Sequence, residues 1–288
     1  MEEPGVGMSD VMTEIPPRPY SKIKGSEPSV TTILSTKNTP GLDWAAAKVT
    51  AERAVYSDEW MSPTRNPAEE VDTLRRYFRG EWDGKAYMGT LLHTVMDKWA
   101  HGETADVLTL VRAHKAWDRT PEITDVKIAE ANGYVLGLEQ FWTDIDTHEL
   151  TTEECVRSSG QFVGQRDMRV KINGEWWLID LKSGRKIYDD FALQLAAYRY
   201  APQVVTYKWV ESMDSKGKPK AELAVDTVEL NEPVDRCGIL HVPGDGTYSL
   251  NEFYVSLDTY DTFLSLIPIY HWLKGAPAPI LTELGGSL

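Results

Sequence analysis

Cysteines and long apolar runs are scarce in this sequence, and both absences narrow the class of protein. The 288 residues include 2 cysteines, Cys155 and Cys237, which are far apart and lack the spacing of metal ligands. That usage is typical of reduced thiols in a cytosolic protein. No stretch approaches the roughly 20 apolar residues of a membrane helix, and no basic segment followed by an apolar run marks a secretory signal. We therefore expect a cytoplasmic protein without a membrane partner.

Basic residues are also fewer than acidic ones: the sequence has 30 Lys and Arg residues and 44 Asp and Glu residues, which gives a net charge of -14. This balance argues against a general nucleic-acid coat protein, because such binding depends on neutralising phosphates. Residues 157–200 differ from the rest, since they hold eight basic and five acidic residues. An enzyme can concentrate its positive charge in one cleft in this way.

Two catalytic motifs are missing as well. The sequence has no Gly-x-x-x-x-Gly-Lys-Ser/Thr phosphate loop, so we expect no ATP motor. It also has no nucleophile-elbow motif for serine-based catalysis.

Hydrophobic periodicity predicts one folded domain between two terminal segments. Residues 1–28 are polar and rich in Pro, Gly and Ser, which is typical of a disordered arm, and residues 277–288 form a Pro/Gly-rich tail. Between them, residues 29–150 are mainly helical in pattern, and residues 151–276 alternate strands with two helices. Helices are predicted over 42–56, 69–78, 87–101, 104–117, 121–145, 189–200 and 257–273. We expect a single 29–276 domain of the α/β (α+β) class, with a central mixed sheet flanked by helices.

The most informative segment is a pair of alternating runs on either side of Asn173-Gly174. This dipeptide is the strongest local signal for a two-residue type I′ hairpin. A hairpin with that turn places Asp167 directly across from Asp180, with their Cβ atoms about 5 Å apart. The same register pairs Met168 with Ile179 and Val170 with Trp177, which predicts an apolar layer on the opposite face.

Two carboxylates that face each other repel, and a divalent cation removes this repulsion because hard cations prefer carboxylate oxygens. Lys182 lies two residues beyond Asp180, so its side chain is expected on the same face, about 7 Å along the strand. A metal between two acids with an ammonium beside it suits phosphodiester hydrolysis. The alternative is a solvated hairpin face, on which mixed charges are routine.

The next predicted helix places Gln194 and Tyr198 one turn apart on one face. A Gln and a Tyr aligned in this way could hydrogen-bond a water or a phosphate at the site. The alternative is an ordinary half-exposed amphipathic helix.

These motifs together resemble the signature of the PD-(D/E)XK nuclease superfamily. The matching elements are Gly164-x-x-Asp167, Asp180-x-Lys182 and Gln194-x-x-x-Tyr198, in that order. An upstream Gly89-x-x-x-His93 is similar to the pattern in RecB-type nuclease domains and in phage exonucleases related to the CRISPR adaptation nucleases. The resemblance implies a restriction-endonuclease-like core. One departure is Arg166, which stands where the superfamily's name has proline.

The resemblance also implies a role for each motif residue. His93, Asp167, Asp180 and the backbone carbonyl of Leu181 would bind Mg2+ or Mn2+. Asp167, Asp180, Lys182, Gln194 and Tyr198 form the implied catalytic set. Asp97, one turn after His93, is a candidate partner for the other ring nitrogen.

Further expectations concern ligands and partners. Four basic residues near the motifs are expected to bind DNA, namely Arg166, Arg169, Arg185 and Lys186. No iron–sulfur cluster is expected, because the relatives that carry one use four cysteines. DNA is the expected partner, with other recombination or replication proteins as further candidates, in the host cytoplasm if the chain is phage-encoded.

The function predicted from the resemblance is a metal-dependent DNA exonuclease that acts in phage DNA recombination, repair or replication. One alternative is a DNA endonuclease of the same superfamily. A second is a catalytically inactive nucleic-acid-binding protein with the same fold, and a third is an unrelated protein whose hairpin mimics the motif.

Overall fold

The computed structural model describes residues 27–37, 42–56, 66–114, 117, 121–145, 149–213 and 219–275. The predicted tail and all but the last two residues of the predicted N-terminal arm lie outside these residues.

The strands follow the predicted order, and so do the helices, apart from a short first helix that was not predicted and a long one that was predicted as two. The helices are α1 (Val30–Leu34), α2 (Leu42–Tyr56), α3 (Pro67–Ala100), α4 (Val107–Arg112), α5 (Pro121–Ile145), α6 (Phe191–Tyr200) and α7 (Leu257–Gly275). The strands are β1 (Leu150–Ser158), β2 (Phe162–Ile172), β3 (Glu175–Lys182), β4 (Gln203–Met213), β5 (Pro219–Leu230), β6 (Arg236–His241) and β7 (Ser249–Phe253). Within the described ranges, no helix is long and apolar enough to cross a membrane.

All seven strands form one sheet in the order β5-β4-β1-β2-β3-β6-β7. Neighbouring strands are antiparallel except β3 and β6, which run parallel. The sheet is therefore mixed and has helices on both faces, which confirms the predicted α/β class with a restriction-endonuclease-like architecture.

Each face of the sheet has its own apolar core. Helices α1, α6 and α7 cover one face, and helices α3, α4 and α5 cover the other. The first core includes Val30, Phe162, Leu178, Leu195 and Phe263, all fully buried. The second core includes Leu92, Leu138, Met168, Val170 and Ile179, also fully buried.

The β2–β3 hairpin forms with the predicted turn. Its register agrees with the prediction as far as the Met168–Ile179 pair, where the ladder ends before the predicted Asp167–Asp180 pair. Asn173 and Gly174 have φ angles of 52° and 87°, the positive values that a type I′ turn requires. Met168 pairs with Ile179 and Val170 with Trp177, as predicted. The local turn thus fixes which side chains of the two strands share a face.

The sequence prediction was wrong for helix α3, because it divided this helix into two over 69–78 and 87–101. It is continuous for 34 residues, because the segment between the two predictions contains no proline to stop it. Glycines such as Gly80 only weaken a helix. Helix α4 is shorter than the predicted 104–117, since the Asp106 side chain caps its first turn by accepting from the backbone N–H groups of Leu108 and Thr109.

Helix α5 packs against the loop before β7 through glycines. A Cβ added to Gly137 would lie 2.3 Å from the carbonyl oxygen of Thr247 and 2.9 Å from Val242 Cγ1. The contact is with backbone, which cannot move aside as a flexible side chain can. This helix therefore needs glycine for close approach.

Replacing Gly137 with alanine should lower the free energy of unfolding by about 1–3 kcal/mol, the usual cost of overpacking. Gly80→Ala is the matched control, because a Cβ at Gly80 meets nothing within 4 Å. It should instead raise stability by up to about 1 kcal/mol through helix propensity. Urea unfolding of both variants measures the difference, and equal effects would contradict this account of Gly137.

Candidate active site

A chain of polar contacts joins β3 to α6 on the face covered by α6. The buried carboxylate of Asp180 lies with its Oδ2 2.5 Å from Lys182 Nζ, and its Oδ1 accepts a hydrogen bond from Gln194 Nε2 at 2.8 Å. Gln194 Nε2 also donates to Tyr198 Oη at 3.0 Å, and Lys182 Nζ donates to Gln194 Oε1 at 3.3 Å. Four residues that the sequence placed in two separate motifs therefore form one network.

The glycines of the motifs allow the surrounding elements to approach closely. A Cβ on Gly164 would lie 2.6 Å from the ring of Tyr198 and 3.0 Å from Val30, so β2 can meet α6 here only without a side chain. A Cβ on Gly89 would lie 3.3 Å from Ser183 Oγ, just beyond the end of β3. Glycine at these two positions therefore lets α3 and α6 pack near the same end of β3.

Asp167 lies between β3 and helix α3. Its Oδ2 accepts a hydrogen bond from the backbone N–H of Leu181 at 2.7 Å, and its Oδ1 is 3.4 Å from His93 Nδ1. Within a strand, the N–H and C=O of one residue point towards the same neighbouring strand. The carbonyl of Leu181 is therefore directed to the edge of β3 where Asp167 lies.

The face of the sheet to which the even-numbered side chains of β2 point changes near Asp167. Phe162 packs in the core beneath α6, whereas Met168 packs in the core beneath α3 and α5, although both positions are even-numbered. The β1–β2 register is continuous except at Asp167 and the residue opposite, Glu153, which has a φ of 52°. This irregularity lets residues from both faces of the sheet, His93 and Asp180, approach Asp167.

Glu153 was missed by sequence reasoning. One ligand atom each from His93, Glu153 and Asp167 lie within 4.8 Å of one another. The left-handed backbone of a glutamate costs on the order of 1–3 kcal/mol, and such outliers cluster at functional sites. Its position could have been inferred only from the β1–β2 register, which no two-residue turn specifies.

Burial controls the electrostatics of Asp180. It raises the pKa of Asp180 to about 6; the Lys182 ammonium opposes this rise and the Asp167 carboxylate adds to it. Oε1 of Glu153 is buried and accepts no hydrogen bond from any described residue. A group of oxygen and imidazole donors with excess negative charge fits a divalent cation.

Two of the residues expected to bind DNA are inside the protein. Arg166 is 2% exposed, and its guanidinium pairs with Glu154 at 2.8 Å and donates to Asn231 Oδ1. Arg169 is 8% exposed, pairs with Glu232 at 2.6 Å and lies 3.9 Å from the centre of the Trp176 ring. Neither guanidinium is presented to a nucleic acid, which corrects the prediction for these two residues.

The other two basic residues lie on the surface next to the site. Arg185 and Lys186 are exposed in the loop that follows Lys182, and the carbonyl of this loop's Gly184 contacts His241 Nε2 at 2.6 Å. The carboxylate of Asp97, the candidate partner of His93, accepts a hydrogen bond from Thr152 Oγ1 at 2.6 Å through its Oδ1. This bond joins α3 to β1 beside the acids.

Comparison with known proteins identifies one family. The chain matches the family model of the PD-(D/E)XK nuclease superfamily over residues 67–241. This segment contains every motif residue from Gly89 to Tyr198. A comparison with curated proteins gave no match.

The raised pKa of Asp180 makes metal binding at this site pH-dependent. Below about pH 6 the carboxyl group is protonated and a metal must displace that proton, whereas above this pH the carboxylate is already ionised. Mn2+ binding at about pH 5.5 should therefore release more protons from the wild type than from Asp180→Asn, and the difference should vanish near pH 8. Calorimetric titration in buffers of different ionisation enthalpy measures this release, and equal release at the lower pH would contradict the assignment.

Proposed function

The chain belongs to the PD-(D/E)XK nuclease superfamily, and on that premise we propose that it is a DNA exonuclease that depends on Mg2+ or Mn2+. The superfamily consists generally of metal-dependent nucleases. The observation that carries the proposal is the convergence of Asp167, Asp180 and Lys182, with His93 3.4 Å from Asp167. Convergence of these groups argues against a hairpin that merely mimics the motif.

His93, Asp167, Asp180 and the carbonyl of Leu181 are the residues that would hold the metal. The cation supplies Lewis acidity at a scissile phosphate and makes water a better nucleophile. The hydrogen bond from Leu181 N–H fixes one oxygen of Asp167, and the bond from Gln194 fixes one oxygen of Asp180. Both carboxylates are thereby oriented before substrate arrives, which lowers the cost of reorganisation during the reaction.

Lys182, Gln194 and Tyr198 complete the proposed catalytic set. The ammonium of Lys182 is partly exposed while its partner Asp180 is buried, so the lysine can reach a phosphate from the solvent side. Its positive charge would stabilise negative charge that develops on the phosphate. Tyr198 orients Gln194, and Gln194 contacts both charged residues.

Action on DNA ends is proposed because the four motifs resemble those of RecB-type nuclease domains and phage exonucleases. The corresponding role is phage DNA recombination, repair or replication in the host cytoplasm, with other proteins of those processes as candidate partners. We further propose that residues 29–276 constitute one nuclease domain, because the family match spans both the helical part and the sheet.

Asp180→Ala and Lys182→Ala should each lower the rate of Mg2+-dependent digestion of linear duplex DNA at least 100-fold, because each removes preorganised charge. Asp226→Ala and Lys208→Ala are matched controls. These two residues form an exposed ion pair of 2.6 Å between β4 and β5, two strands that carry no residue of the proposed catalytic set. The controls should retain wild-type rates, and chelator should abolish all activity.

Closed circular DNA distinguishes the alternatives in the same assay. An exonuclease digests end-labelled linear DNA and leaves closed circles intact. Cleavage of circles would instead identify an endonuclease of the superfamily. Binding of DNA without cleavage in Mg2+ or Mn2+ would identify a catalytically inactive binding protein.

The exposed residues Arg185 and Lys186 are proposed to contact the DNA backbone. Replacing both with alanine should raise KM for DNA and flatten the plot of log(kcat/KM) against log[salt] by about 1–2, since each phosphate contact contributes about 0.9 to this slope. Lys208→Ala should leave the slope unchanged, because it removes a positive charge that belongs to an exposed ion pair outside the proposed site. An unchanged slope in the double variant would refute a role in backbone binding.

A further inference from the structure

Glu153 lies inside β1, but its backbone does not have the extended conformation of a strand. The β1–β2 register pairs Thr152 with Met168 and Glu154 with Arg166, so Glu153 lies opposite Asp167 between these pairs. Its φ of 52° lies in the left-handed region that favours glycine. The other described non-glycine residue with positive φ is Asn173, which forms the hairpin turn.

Gln165 fixes both the backbone and the side chain of this glutamate. The buried Nε2 of Gln165 donates to the carbonyl oxygen of Glu153 at 3.2 Å and also donates to its carboxylate Oε2. These bonds occupy Oε2. The other carboxylate oxygen, Oε1, is buried and has no hydrogen-bond partner among the described residues.

Oε1 of Glu153 is directed towards the proposed metal ligands. It lies 3.5 Å from His93 Nδ1, and Asp167 Oδ1 lies 3.4 Å from the same nitrogen. Both distances exceed the roughly 2.7–3.2 Å of a good hydrogen bond. They are close to the separations of about 3–4 Å between ligand atoms around an octahedral Mg2+ with bonds of about 2.1 Å.

We infer that Glu153 is a direct ligand of the catalytic divalent cation, beside His93 and Asp167; this inference rests on the proposed metal-dependent function. The neighbouring bond between Thr152 and Asp97 holds β1 against α3, the helix that carries His93. Glu153 thus enters the site from β1, whereas the ligands implied by the motifs come from α3, β2 and β3.

A cysteine at this position gives a direct test of ligation. Thiolates bind Cd2+ strongly, and a Cd–S bond produces a charge-transfer absorption band in the ultraviolet. Titration of Glu153→Cys with Cd2+ should produce this band, saturating at one Cd2+ per chain. Glu149→Cys, at an exposed position just before β1, should not produce it, and neither should the wild type with its two buried cysteines. A Glu153→Cys spectrum identical to that of wild type would refute direct ligation.

Glu153→Gly provides a second test with a variant that is expected to fold. Glycine adopts the positive φ without strain, so the metal-free Tm should equal or exceed that of wild type. Calorimetric titration should nevertheless show Mn2+ affinity at least tenfold weaker, and Mn2+ should raise the Tm less than in wild type.

The Mn2+ titration distinguishes failure of the Glu153 assignment from failure of the proposed metal-dependent function. Wild-type affinity for Mn2+ in Glu153→Gly would overturn the role of Glu153 alone and leave the nuclease proposal intact. A wild-type chain that binds no Mn2+ would overturn the metal-dependent function, and the role of Glu153 with it.

Discussion

Burial of like charges is the constraint on which this site depends. Asp167 and Asp180 are 3% and 1% exposed, and Glu153 approaches Asp167 from the neighbouring strand. Buried carboxylates are stable only when hydrogen bonds or opposite charges compensate them. The amide of Leu181 and the side chain of Gln194 supply hydrogen bonds, and Lys182 supplies one positive charge. A divalent cation would supply the charge that these contacts do not.

Much of the site was accessible from sequence because local geometry specifies it. The Asn173-Gly174 turn fixes the β2–β3 register, and the two-residue period of a strand then places Lys182 on the face of Asp180. The helical period likewise predicts that Gln194 and Tyr198 are neighbours, and they are hydrogen-bonded. In each case the spacing is set by one element or one tight turn.

Features that depend on distant contacts were not accessible in this way. Arg166 was predicted to bind DNA from its charge, but Glu154 across the ladder and Asn231 after β5 bury it in an ion pair. Glu153 belongs to no sequence motif. Its left-handed backbone accompanies the change of side-chain direction in β1 and β2, which depends on how these two strands pair. The β-branched run after Ser29 suits a strand, yet it forms α1, which packs in the same apolar core as α6 and α7.

The same charges link metal binding to DNA binding in the proposed nuclease. The chain carries a net charge of -14, and without a cation its site holds three carboxylates near one ammonium, so a phosphate is repelled from the groups that would act on it. A bound divalent cation neutralises this local negative charge and therefore increases the affinity for phosphate. By linkage, DNA must increase the affinity for the metal by the same factor. Glu153, as a third carboxylate, strengthens this coupling because it adds repulsion in the empty site and attraction for the cation.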